Sequence, residues 1–357
     1  MFKLNKSTID EIEHIRTRAS WYVGRLGDGT YAHDGIYTLL QEVLNHFVDE
    51  FREGYGTTID VWISSKQVFI RDYGRGIPLE ERYANSRLST KAVEVTYIGW
   101  DVVNALSDYM DIEVSKNGTV DRYGYDKGVL SHKTTYKKRR KDGLSVTYSL
   151  DDSIWGRHQY DMDIVWGMLQ NIAYQNVGLK INFHRHRIRS KGGMAELLKN
   201  KMKCKGYYLY PIIHFKNEWM DVAFTHSHAD EEEFYSFVNG VNLRRGGTHL
   251  DALKRTVASV LIRFYSSKGY IFKDVYPGMV VAISVNVEEP IIGENNPSML
   301  WSPSFTKDGS LLMSEYMMKF VGENLKTYLQ KHKHTREMIH GKMFVAKEKR
   351  KLVQKDF

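Results

Sequence analysis

Gln41-Glu42-Val43-Leu44-Asn45-His46-Phe47-Val48-Asp49-Glu50, followed by Arg71-Asp72-Tyr73-Gly74-Arg75-Gly76-Ile77-Pro78, decides how this chain is read. Before and through the first segment, Ile36, Leu39, Leu40, Val43, Leu44, Phe47, Val48 and Phe51 recur at helical spacing and predict a helix with one wide apolar face. Glu42, Asn45, His46 and Asp49 lie on its other side. At about 100° per residue, Glu42 stands nearly opposite the centre of the apolar stripe. Glu42 and His46 are one turn apart and can point at one ligand; on this helix alone, the polar face reads as solvent-facing. Asp60 to Ser64 and Val68 to Asp72 alternate like strands. Gly74 and Gly76 break the second strand and let backbone approach a ligand closely.

The 357 residues lead us to expect two domains, and 42% apolar content is enough for sizeable cores. No run of about 18 apolar residues is present, so no membrane span is expected. The N-terminus lacks the apolar core of a signal peptide. A single cysteine, Cys204, excludes an internal disulfide and a cysteine-built metal site. A reducing cytoplasm is the expected compartment. The net charge of +8 is concentrated at Tyr136 to Lys141, His184 to Lys191 and Lys347 to Lys355, against one acidic run, Asp230 to Glu233. Such runs are read either as solvated faces or as phosphate-neutralising surfaces.

Ser7 and Asp10 form a capping pattern ahead of a first helix. Past the glycine turn, Leu79 to Gly99 reads as a loop or lid, Trp100 to Met110 as a helix, and Asp111–Lys116, Tyr123–Tyr125 and Ser145–Tyr148 as strands. A helix over Asp163–Tyr174, a strand over Leu179–His184 and a helix over Met194–Asn200 follow. Lys201 to Tyr208 reads as a linker. Beyond it come strands at Tyr210–Phe215, Trp219–His226, Glu233–Val238 and Met279–Val287, a helix over Leu250–Tyr265 and a long helix over Ser310–His332.

The helix QEVLNHFVDE, the turn RDYGRGIP, the phrase VVNALS at Val102–Ser107 and the phrase YSFVNGVNLRRGGTHLDAL at Tyr235–Leu253 occur in that order. Together they resemble the ATPase and transducer regions of type IIA DNA topoisomerase B subunits, the gyrase B and topoisomerase IV B family. The resemblance covers Ile12 to about Lys342. It implies an α+β chain: a GHKL-type (Bergerat) ATPase α/β sandwich over residues 1–200 with a shortened lid, a ribosomal-S5-like transducer over 201–332 with a long C-terminal helix, and a basic helical tail or linker over 333–357.

The same resemblance implies the roles. Glu42 matches the family's general base toward water. Asp72 matches the acceptor for the adenine amino group, with Gly74, Gly76, Ile77, Pro78 and Tyr22 around the nucleotide. Glu50 and Arg75 match a bracing ion pair. ATP and magnesium are the implied cofactors. Duplex DNA, a topoisomerase A or B subunit and a second copy of the chain are the implied partners, in a cytoplasmic, nucleoid-associated setting. Only Met1 to Lys6 would serve as the dimerising arm, so a strongly arm-exchanged homodimer is not expected.

Four positions depart from the family pattern. His46 stands where the family places its magnesium-ligating asparagine, and magnesium prefers hard oxygen ligands. Tyr97-Ile98-Gly99-Trp100 stands where a glycine-rich turn would cradle phosphates on a helix N-terminus; only about 25 residues separate Pro78 from Asn104, short for that lid. Leu144 replaces an adenine-binding threonine and cannot hydrogen-bond to a base. Asn295-Asn296-Pro297 replaces the transducer loop whose lysine reaches the γ-phosphate, and proline carries neither the charge nor an N–H.

Three readings follow. One is a degenerate ATPase that acts by binding DNA or a topoisomerase partner, with weak or absent hydrolysis. Another is an ATP-hydrolysing clamp fragment whose cleavage domains lie beyond the basic end. The third is a DNA-binding protein that reuses the fold. Arg185, Arg187, Lys138 and Arg139 are the DNA-contact candidates in each.

Overall fold

The computed structural model describes residues 6–64, 66–76, 99–203, 208–293 and 296–355, with only the backbone of 6–9, 296–298 and 354–355 described. Ile77, Pro78, Asn295, Cys204 and the lid residues 79–98 lie outside the described residues. The chain divides into two compact units at Lys191/Gly192.

The first unit contains helices α1 (Lys6–Thr17), α2 (Ala19–Val23), α3 (Gly35–Arg52), α4 (Trp100–Ala105), α5 (Asp152–Trp155) and α6 (Met162–Gln175). Its strands are β1 (Thr58–Ile63), β2 (Gln67–Asp72), β3 (Ser107–Lys116), β4 (Thr119–Asp126), β5 (Val129–Lys137), β6 (Gly143–Leu150), β7 (Lys180–Phe183) and β8 (His186–Ile188). They form one sheet in the order β5-β4-β3-β6-β2-β1-β7-β8, antiparallel except where β7 joins β1 in parallel. Ile59, Val61, Ile63, Val68 and Ile70 alternate inward, as period-two strands must, onto Leu39, Leu40, Leu44 and Phe47 of α3. That interlock fixes α3 beside β2 and brings Glu50, near the end of α3, to the turn that follows β2.

The second unit contains α7 (Gly193–Lys203), α8 (Thr248–Phe264), α9 (Phe272–Val275), α10 (Met313–Lys331) and α11 (Lys333–Lys355). A sheet of β9 (Ile213–Lys216), β10 (Met220–His226), β11 (Glu233–Val238), β12 (Val241–Asn242) and β14 (Met279–Val285) runs in the order β12-β11-β14-β10-β9. A smaller sheet joins β13 (Gly246–Gly247), β16 (Asn296–Leu300) and β15 (Ile292–Gly293). The α+β class expected from sequence is what is observed.

Several expectations are corrected. Met194 to Asn200, expected to close the first domain, belongs to α7, which packs on β9, β10 and β14 of the second unit. The helix expected through Met110 ends at Ala105, because Ser107 already starts β3. Strand β5 was not expected at all. The long helix begins at Met313 rather than Ser310.

Residues 333–357 are not a free tail over their described part. Ile339, Met343 and Ala346 of α11 are buried. Its Arg350 grips the fully buried Asp274 of α9 with two bonds, Nε to Oδ1 at 2.8 Å and Nη2 to Oδ2 at 3.0 Å. Lys342 and Lys349 meet Asp230 at 3.0 and 2.6 Å, so part of the basic run is neutralised by the acidic run.

Candidate functional site

Helix α3 carries the acidic side of the site. The face expected to meet solvent is largely covered: Glu42 and Glu50 are each 5% exposed, and Asn45 is buried. Glu42 Oε1 lies 3.6 Å from His46 Nε2. Burial pushes the Glu42 carboxyl above the usual carboxylate range, while the His46 hydrogen bond pulls it back. Asn45 Oδ1 accepts from Gln41 Nε2 at 2.7 Å.

Trp100 opens α4 directly over this group. Its ring meets the His46 imidazole edge-on, with centroids 5.0 Å apart and planes at 75°. It also lies 6.2 Å from the Phe47 ring. The indole is buried, and its Nε1 has no hydrogen-bond partner among the described residues. Trp100, which stands where the resemblance expects a phosphate-cradling turn, is a core residue packed edge-on against His46.

The other wall is β2 and the glycine turn. Asp72 is buried, and its Oδ1 accepts from the backbone N–H of Leu144 at 2.7 Å and of Gly74 at 3.3 Å. Gly76 sits at φ +58°, and a Cβ there would fall 2.1 Å from Ser115 O. A Cβ on Gly74 would fall 2.7 Å from Glu50 Oε2. These two glycines let the turn press against the acidic helix and the end of β3.

Arg75 closes that turn onto α3. Its Nη2 donates to Glu50 Oε1 at 2.7 Å and its Nε to Oε2 at 3.3 Å. Glu53 adds a further contact, and the guanidinium stacks 3.8 Å above the Tyr55 ring. The Glu50 hydrogen bonds, with Glu53 behind them, hold Arg75 more firmly cationic than usual. Glu53 escaped the sequence reading, although it follows Glu50 at helical spacing. Gly143 escaped it too: at φ +139° a Cβ there would fall 2.5 Å from Asp72 O.

Leu144 is fully buried in the apolar core, so its contribution to Asp72 is its backbone N–H. Tyr22 packs against the core, with its hydroxyl 2.9 Å from His14 Nδ1. Pro297 lies on β16 of the second unit.

The four basic candidates are exposed but not gathered. Arg185 and Arg187 occupy the β7–β8 hairpin, and Lys138 and Arg139 follow β5; β8 and β5 are opposite edges of the sheet.

The chemistry of the two walls differs. The Asp72 wall offers a buried carboxylate held among closely packed glycines. Among the described residues the Glu42 wall offers a carboxyl, the Asn45 carboxamide already bonded to Gln41, an imidazole and an indole, a set poor in free oxygen donors for a hard, oxygen-seeking magnesium ion. Among the described residues, no three His, Cys, Asp or Glu side chains converge as a metal site.

Comparison with known proteins gives a consistent picture. The family profile described as DNA gyrase B matches residues 189–356. The B subunit of DNA topoisomerase 4 from Borreliella burgdorferi is 32% identical over 327 residues, 87% of this chain and 54% of that protein. The B subunit of DNA gyrase from Thermotoga maritima is 25% identical over 393 residues, 96% of this chain and 60% of that protein. The chain thus spans little more than half the length of these relatives. Among solved structures, the 43K ATPase domain of Thermus thermophilus gyrase B, in complex with an aminocoumarin, superposes with a TM-score of 0.75 at 25% identity, covering 97% of each chain.

Proposed function

We propose that the chain is a B-subunit-like member of the type IIA DNA topoisomerases, corresponding to their ATPase and transducer regions, and that it acts as a nucleotide-independent binding protein rather than an ATP-driven clamp; its likeness to topoisomerase 4 and gyrase B subunits supports the first part. The observation that carries this reading is the edge-on contact of the buried Trp100 ring with the half-buried His46. Phosphoryl transfer depends on neutralising charge along the phosphates, by metal ions, lysines and backbone N–H groups. Here an indole roofs the side chain that replaces the metal-ligating asparagine. Glu42 retains a buried carboxyl that would serve as a general base, but magnesium phosphates do not fit beside it. The Asp72 wall keeps a buried carboxylate to which an adenine amino group would donate, and Gly74, Gly76 and Gly143 let the backbone close around it against Glu50, Ser115 and Asp72.

On this reading the first unit is a GHKL-type domain, the second a transducer, and α11 the link onward. The partners are DNA, through Arg185 and Arg187 and separately Lys138 and Arg139, and a topoisomerase A or B subunit or a second copy. The second reading, an ATP-hydrolysing clamp, is favoured by the intact Glu50–Arg75 pair and the buried Asp72.

Calorimetry with a non-hydrolysable ATP analogue and magnesium separates the two. The binding-protein reading expects no more than weak, millimolar-range heat and no turnover. Micromolar binding that disappears in Asp72→Asn, accompanied by phosphate release from ATP, establishes the clamp instead.

A further inference from the structure

The sheet of the first unit has a second face, away from α3, and it carries a feature that the nucleotide pocket does not use. On β1, Asp60 and Trp62 point away from the core while Ile59, Val61 and Ile63 point into it. Trp62 is 53% exposed, unusual for a tryptophan on a strand with neighbours on both sides. Its register partner across the β1–β2 ladder is Phe69, half-buried on the same face. Cross-strand partners stand side by side. Two aromatic side chains therefore lie next to each other on an open sheet surface.

The β7–β8 hairpin borders them. Its two-residue turn, His184-Arg185, has His184 at φ +51°, as a tight hairpin requires. The His184 ring reaches back to 4.4 Å from the Trp62 ring. Arg185 and Arg187 stand exposed beyond it, and these groups line one concavity of about 720 Å³. The acid lining this concavity is Asp60, and it is already engaged: Oδ1 accepts from Asn182 Nδ2 at 2.7 Å and Oδ2 from Tyr73 OH at 2.5 Å. Asp111 and Glu113, farther along the same face, are held by Arg122 and Arg140. Asp60 orients the hairpin strand rather than opposing the arginines.

We propose that this face binds a short unpaired stretch of DNA, with a base stacked on Trp62 beside Phe69 and the flanking phosphates on Arg185 and Arg187. A paired base has both its faces covered, so an exposed indole gains nothing from a duplex. An aromatic platform edged by cations suits single strands. The choice of DNA over RNA rests on the family reading above; the site itself does not depend on the state of the nucleotide pocket.

The test is fluorescence anisotropy of the full chain with labelled dT12, its RNA counterpart and a duplex of the same length. dT12 is expected to bind most tightly. Trp62→Ala is expected to weaken it by roughly ten-fold or more, while Trp62→Phe keeps most of the affinity. Arg185→Ala with Arg187→Ala should flatten the dependence of log affinity on log salt by about 0.7 per arginine. Thermal unfolding checks that each variant is folded, which an exposed position leads us to expect. Failure of dT12 to bind, equal affinity for the duplex, or binding indifferent to Trp62→Ala overturns the platform. Tighter binding of the RNA overturns the assignment to DNA. None of these outcomes bears on ATP calorimetry, so the two readings fail separately.

Discussion

Trp100 meets His46 edge-on at a centroid distance of 5.0 Å, and this contact joins the start of α4 to the middle of α3. It packs an indole against the imidazole of α3 and, behind it, against the Phe47 ring. The contact is also structural: the indole belongs to the same buried cluster as Phe47 and Val103.

Trp100→Ala should therefore cost about 3–5 kcal/mol of unfolding free energy, as for other large buried aromatics. Trp100→Phe should cost far less. Urea denaturation of both variants measures this; a loss below about 1 kcal/mol for the alanine variant would show that the ring is peripheral to the core.

Arg75→Ala removes the ion-pair partner of Glu50, a side chain that is 5% exposed. Breaking the pair from one side leaves the buried Glu50 charge less well compensated, and because Arg75 is about a third exposed the loss should be about 1–2 kcal/mol. Glu50→Gln with Arg75→Ala should recover part of that loss. A double-mutant cycle in denaturant reads the coupling directly, and strictly additive losses would contradict it.

Two buried histidines in the second unit tie its stability to pH. His226 Nε2 donates to Val275 O at 2.7 Å, so its Nδ1 accepts from Tyr210 OH at 2.6 Å. Burial, with nearby Lys342 adding to it, lowers His226 to about 4. Burial lowers His249, bonded to Ser236, to about 3. Between their ordinary value near 6.5 and these folded values, the unfolded chain binds more protons than the folded one. Stability is thus full above about pH 6.5 and falls as acid is added, by about 1.4 kcal/mol per pH unit for each histidine. Thermal melts from pH 7 to pH 4.5 should show the decline, and His226→Gln should make it shallower.

Arg350→Ala should undock the end of α11. Asp274 is fully buried and loses both guanidinium bonds, which should cost about 3 kcal/mol. Hydrogen exchange over residues 340–355 should accelerate relative to the rest of the second unit. Unchanged protection there would show that Ile339 and Met343 hold the helix without it.

Helix α3 was legible because eight apolar residues kept one period and no breaker intervened. The burial of Glu50 was not, because its cover comes from the glycine turn, which periodicity along α3 cannot report. Strand β5 was hidden for the opposite reason. Val129-Leu130-Ser131-His132-Lys133-Thr134-Thr135-Tyr136-Lys137 is an edge strand exposed or half-exposed throughout, so it has no apolar alternation to detect. The role of the basic C-terminal run depended on Asp230 and Asp274, whose positions only the fold reveals. The aromatic pair Trp62 and Phe69 was visible as residues, but not as neighbours until β1 and β2 were in register.

The parallel join of β7 to β1 has a kinetic consequence. Asn182 and Asp60, bonded across it, are 122 positions apart in sequence. Contacts of such separation form slowly, since a long loop must close before they reward it. During synthesis β1 therefore waits with one edge bare, a template for pairing with another chain. When β7 arrives, the edge passes to the short β8, whose His186 and Arg187 are charged or chargeable and exposed. The basic hairpin is thus the last piece of the sheet to assemble and the piece that guards it from aggregation, so charge-removing substitutions there should lower the yield of folded protein even where they leave the finished fold untouched.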